Sequence, residues 1–261
     1  MTAPIEHRLT ARNTARSSPN KMHDDDVARS YGFAGGLVPG VTVFAWMCGL
    51  PIRTFGSAWL EAGRIAARFS RPVYEGDATT VGGTPDGDDL KIEVVARSET
   101  CATGVASVTN GPLVPEVSSF ERAPIPAELP AANAEALIPG VALGTVDVRF
   151  SEASAREYLS SIGADQALPR TVAHPGWMIL LGNLALSNNV KLGPWIHVSS
   201  DMQLLSGVED GDEVSALSRV AATFERKGHR FVELDVLIVA AGTRPAATIR
   251  HVAIYEPRRT G

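Results

Sequence analysis

Cysteine is nearly absent from this 261-residue chain: Cys48 and Cys101 stand far apart, without ligand-like neighbours. Two isolated thiols argue against a disulfide framework and a cysteine-based zinc site, so no metal is expected, and they fit a reducing compartment. Long apolar runs are missing too. No stretch approaches the ~20 apolar residues that cross a bilayer as a helix, so no membrane role is expected. Met1 to Asn20 is polar, carrying Arg8, Arg12 and Arg16 beside Glu6, and lacks the apolar centre of a signal peptide. A cytoplasmic location is the resulting expectation. There is no excess of positive charge: the net charge is −5 and the longest acidic run is only Asp24-Asp25-Asp26. Neither a nucleic-acid surface nor an acidic tail follows from that balance. The chain also lacks a GxxxxGK[ST] phosphate loop and a GxSxG nucleophile elbow.

What is present is said twice. Val38-Pro39-Gly40 opens an apolar run, followed by Trp59-Leu60 and a Tyr74-Glu75-Gly76-Asp77 turn. His174-Pro175-Gly176 opens another, followed by Trp195-Ile196 and Glu209-Asp210-Gly211-Asp212. Pro39 to Trp59 and Pro175 to Trp195 are both 20 positions, and the Trp-to-Asp intervals are 18 and 17. Two copies are too few for a solenoid, which leaves a pseudo-dimer of like halves.

The composition changes between the copies. Six of the 17 prolines fall between Gly111 and Gly140, where such density excludes regular structure and favours a stiff, extended connector. The expected division is therefore a first domain at 1–110, a proline-rich linker at 111–140 and a second domain at 141–261. In each domain an almost wholly apolar run, Gly40 to Leu50 or Gly176 to Leu186, reads as a helix buried on every side. Pro51 is expected to stop the first helix and Asn188-Asn189 the second. After each helix come alternating β-rich runs: Arg64 to Phe69, Thr79 to Val81, Leu90 to Ala96 and Ala102 to Thr109 in the first half. The second half supplies Ile196 to Leu205, Glu213 to Phe224, Arg230 to Val239 and Ala246 to Tyr255. A buried helix wrapped by an antiparallel sheet is an α+β layer arrangement, the hotdog, here doubled.

The stretch Asn20-Lys21-Met22-His23-Asp24-Asp25-Asp26-Val27-Ala28-Arg29-Ser30-Tyr31-Gly32-Phe33, continuing to Gly40, resembles the hydratase loop of the MaoC-like family. That family includes R-specific enoyl-CoA hydratases and acyl dehydratases. Its motif reads Asp-x-Asn-Pro-x-His, then a short Ala-containing helix, a Gly-Phe and a small-residue turn into the central helix. Asn20 and His23 take the places of the motif's Asn and His, whereas its catalytic Asp falls at Ser18 and its Pro at Lys21. The second half resembles the family less closely. Arg149-Phe150-Ser151-Glu152 through Gly163-Ala164-Asp165 is similar to the helix leading into such a loop, which is then cut short before His174. Related dehydratases of fatty-acid synthesis carry an acid on the central helix, where this chain aligns Ala45 and Leu180 or Leu181.

The resemblance implies chemistry on acyl thioesters. The expected reaction is reversible water addition to, or removal from, an enoyl group on coenzyme A or an acyl carrier protein, with no cofactor beyond that carrier. His23 is the expected acid/base, with Asn20 holding substrate or water and Asp24 orienting the imidazole. An alternative for Asp24 is the cap of a short helix from Asp25 to Tyr31. Backbone amides around Gly36, Gly40 and Gly176, at the starts of buried helices, would stabilise enolate charge. His174, His197 and His229 form a second candidate group, with His174 or His197 as base, unless the strand histidines face outward. Arg226 and Lys227, beside His229, suit the phosphates of coenzyme A. His7 and His251 acquire no role. Thioesterase activity and non-catalytic acyl binding remain the other classes open to this fold, the latter because of Ser18. A homodimer is open, since paired hotdogs often associate further.

Overall fold

A computed structural model describes residues 5–163 and 171–258. Each half encloses one central helix, α2 (Gly40–Phe55) or α5 (Pro175–Ser187), in five strands. The first half contributes β1 (Ile5–Thr10), β2 (Gly63–Phe69), β3 (Ala78–Asp86), β4 (Asp89–Ala96) and β5 (Glu99–Val108). The second contributes β6 (Ala142–Arg149), β7 (Ile196–Leu204), β8 (Glu213–Arg226), β9 (His229–Ala240) and β10 (Arg244–Glu256). They form one antiparallel sheet in the order β1-β3-β4-β5-β2-β7-β10-β9-β8-β6. Read from its two ends, the sheet repeats the same sequence of equivalent strands. The halves join where β2 pairs with β7, from Arg64 opposite Gln203 to Arg68 opposite Ser199. This is the double hotdog, its two expected sheets merged into one.

Side-chain patterning explains how the layers meet. On β2, Ile65 and Ala67 point into the core while Arg64 and Arg68 face solvent, as a half-buried strand requires. Every residue from Val41 to Ile52 of α2 is buried, because sheet and partner helix surround it. Trp46 secures that packing: its indole N–H donates to the Ile162 carbonyl at 2.8 Å, at the end of α4 (Glu152–Ser161). Both cysteines are unpaired and buried.

Some local expectations change. Pro51 lies inside α2, which runs on to Phe55. A proline there forfeits one helical hydrogen bond, but the buried apolar surroundings hold the turn together, and Gly56 at φ +64° ends the helix instead. β1, β6 and α3 (Ser57–Ala62) were not legible as elements. α1 (Asp25–Ser30) follows a 3-10 turn at Lys21–His23. Of the segment likened to a lead-in helix, α4 is helical, and Ala164 and Asp165 lie outside the described residues.

The proline-rich segment contains one short 3-10 turn, Val117–Ser119, and lies against the second half. The amide of Thr145 on β6 donates to the Ala123 carbonyl at 2.8 Å, and Arg122 pairs with Asp147 at 2.8 Å. Val117 and Phe120 pack on Leu217, Leu237 and Val239.

Candidate active site

The loop that resembles the hydratase motif is tied to the opposite half by one side chain. Asn20 Oδ1 accepts from the amides of Met22 and Trp195, both at 3.1 Å. Its Nδ2 donates to the Trp195 carbonyl at 3.0 Å and approaches His23 Nε2 at 3.2 Å. The other ring nitrogen, His23 Nδ1, lies 2.7 Å from the Leu37 carbonyl. A carbonyl can only accept, so Nδ1 carries the hydrogen; an amide N–H can only donate, so Nε2 keeps its lone pair. The partners therefore select one neutral tautomer. Burial lowers the His23 pKa below its ordinary value, the Leu37 bond opposing only in part.

His23 stands between two cavities. One, of about 230 Å³, is lined by Gly40, Phe69, Arg71, His197 and His229 among others. The second, of about 470 Å³, is lined by Ser18, Val41, Thr42, Tyr158 and Lys191 among others. Asn20, His23, Pro39, Asn183 and Trp195 border both. Pro39, the residue before α2, gives its first-turn amides no side-chain acceptor. Donors and the positive end of a helix dipole thus border the cavities that His23 also lines, through Gly40 in one and Val41 in the other.

The equivalent end of α5 is closed. His174 Nδ1 accepts from the Gly176 amide at 2.9 Å, and burial pushes its pKa down to about 3. His174 borders neither cavity and serves as a helix cap, which corrects its expected role as base. Gly176 is corrected with it. A Cβ there would lie 2.4 Å from the Tyr158 hydroxyl and 2.5 Å from Ala45 Cβ, so the glycine allows two helices to approach. Gly36 is not a free donor either, because its amide binds Asp25 Oδ1 at 2.8 Å. A side chain at that position would run into the His23 carbonyl. Asp24 does not orient His23. Its exposed carboxylate caps α1, accepting from Asp26 and Val27 at 3.1 Å.

Of the second histidine group, His197 and His229 share the smaller cavity with His23. His197 faces inward: its Nε2 lies 2.8 Å from Ser200 Oγ, which lies 3.1 Å from His251 Nδ1. The two imidazoles stack with centroids 4.3 Å apart. Burial holds His197 well below the usual histidine pKa and His251 at about 4. His251, an isolated strand histidine in the sequence, is thus part of a buried polar chain. His229 accepts a hydrogen bond from the Arg258 amide at 3.0 Å, and Arg226 and Lys227 in the same hairpin are exposed. Ser18 Oγ donates to the Asn20 carbonyl at 3.3 Å.

Asn183 escaped the sequence reading. It is the lone strongly polar side chain between Gly176 and Leu186, two positions beyond Leu181. An amide in an otherwise apolar buried helix is the signal that would have found it.

No protein-family model matches this chain, and no curated protein matches it in sequence. Solved structures do match in shape. Rv0216 of Mycobacterium tuberculosis, described as a double hotdog, is 15% identical with a TM-score of 0.62, over 97% of this chain and 95% of its own. A MaoC-like dehydratase is 13% identical with a TM-score of 0.59, over 96% and 98% of the two chains. The dehydratase domain of PpsC from M. tuberculosis, solved with C12:1-CoA, is 12% identical with a TM-score of 0.52, over 96% and 92%. Thioesterases also occur among the matches. The chain is a double-hotdog protein. At these identities, that shared fold is what the likeness establishes.

Proposed function

We propose that the protein reversibly hydrates enoyl thioesters. The observation that carries this reading is the neutral His23, its Nε2 lone pair held between two cavities beside the uncapped start of α2. An enoyl thioester would lie with its carbonyl oxygen at the Gly40 and Val41 amides. A water molecule replaces the long Asn20 contact at Nε2, attacks the β-carbon and gives its proton to His23. Negative charge collects on the thioester oxygen, where the helix end stabilises it. His23 then returns the proton to the α-carbon. Ser18 is uncharged at neutral pH, so proton transfer rests on His23. The Arg226-Lys227 hairpin tip would meet the phosphates of coenzyme A or an acyl carrier's prosthetic arm.

The test is incubation with short and bulky enoyl-CoAs, following enoyl absorbance and free thiol together. Loss of enoyl signal without thiol release is the expected result, and His23→Ala should slow it by about 10²–10⁴-fold. Thiol release would identify a thioesterase instead. Binding without turnover would leave an acyl-binding protein.

A further inference from the structure

The geometry points to Asn183 as the second acceptor for the attacking water, an inference that rests on the proposed hydration. Attack by water on the β-carbon leaves one of its two hydrogens with His23 and the other on the new hydroxyl. That second hydrogen also needs an acceptor. Five residues border both cavities, and their side chains reduce the choice. Pro39 has no polar side-chain atom, and the Trp195 indole only donates. Asn20 Oδ1 is already occupied by the amides of Met22 and Trp195. His23 takes the first hydrogen. Asn183 remains, its Oδ1 buried and without a hydrogen-bond partner among the described residues.

An unmet acceptor inside an apolar helix is unfavourable for folding, so it calls for a compensating use. Rotation about the Cβ–Cγ bond is soft, so the amide can turn its oxygen to either cavity. The step balances. The water oxygen bonds to the β-carbon, one proton goes to His23 Nε2, and the π pair moves to the thioester oxygen. The remaining hydrogen stays on the product hydroxyl and points to Asn183 Oδ1. His23 lies on the loop of one half and Asn183 on α5 of the other, so the water is held from both sides. Asn183 cannot take a proton as a carboxylate does; it orients.

Product binding tests this without turnover. Wild-type protein should bind 3-hydroxybutyryl-CoA about 5–10-fold more tightly than butyryl-CoA, the scale of one hydrogen bond. Asn183→Leu should erase that preference, leave butyryl-CoA affinity within about twofold, and leave Tm unchanged or higher because a buried orphan acceptor is gone. Asn183→Asp, which retains acceptors, should keep the preference. If the leucine variant fails to fold, Asn183→Ala withdraws the acceptor without adding bulk and reads the same ratio. Equal wild-type affinities, or a preference that survives in a folded variant, overturn the assignment of Asn183 alone. A wild type that binds neither acyl-CoA overturns the proposed function and this inference with it.

Discussion

His23 is useful as a base because of what holds its other nitrogen. The Leu37 carbonyl fixes the tautomer, and burial keeps the ring neutral. The hydration rate should rise with pH through the His23 pKa and level off at neutrality, with its acid limb below the usual histidine value of about 6.5. Asn20→Asp would place a carboxylate at Nε2, favour the charged ring and move that limb upward. A kcat/KM profile from pH 4.5 to 8 checks both directions; a limb that stays in place in the variant removes His23 as the titrating base. His23 and Asn20 were legible because a spaced loop pattern carries them. For Asp24 the sequence left two readings open, partner of His23 or cap of the short helix, because an acidic residue next to a histidine suits both. At the start of a short helix, two free amides compete for that carboxylate, and here they win.

The central helices show what can be read at the scale of an element. All-round apolarity identified both, since nothing except burial on every side tolerates it. It could not show where they cross. The crossing lies at Gly176, packed on Ala45 and Tyr158. Gly176→Ala should therefore destabilise the fold by about 1–3 kcal/mol through overpacking, while activity per folded molecule persists. Denaturation midpoints measured beside enoyl turnover separate the effects; lost turnover at unchanged stability would return Gly176 to the substrate site. β1 and β6 were harder to see. β1 alternates half-buried Ile5, His7 and Leu9 with exposed Glu6, Arg8 and Thr10, a pattern too short and polar to stand out. Each becomes a strand only because a neighbour with the right register is waiting, β3 or β8.

Across the whole molecule, three histidines are buried and neutral: His174 at about 3, His251 at about 4, and His197 well below its usual value. In the unfolded chain each titrates near 6.5, so below that pH the unfolded state binds more protons than the native one. Their stabilisation is complete above pH ~6.5 and is lost as pH falls toward 4, at up to about 1.4 kcal/mol per pH unit for each ring. Urea midpoints at pH 7, 6 and 5 should fall steeply, and His251→Gln should flatten the slope; equal midpoints would mean the rings are protonated when folded. The duplication made this molecule's plan legible early, because matched spacings survive divergence. The asymmetry between the halves was not, because it depends on which polar atoms meet after folding.

The proline-rich segment has a further consequence. A sheet that does not close on itself ends in strands with unpaired hydrogen-bonding groups, and these invite strands from other molecules. At the β6 end the chain lays Ala123 against Gly144 and Thr145. The residues that continue from it, Pro124 and Pro126, bring no amide hydrogen to extend the ladder. The connector between the copies is also a stopper: it occupies that margin with a backbone that cannot template another strand.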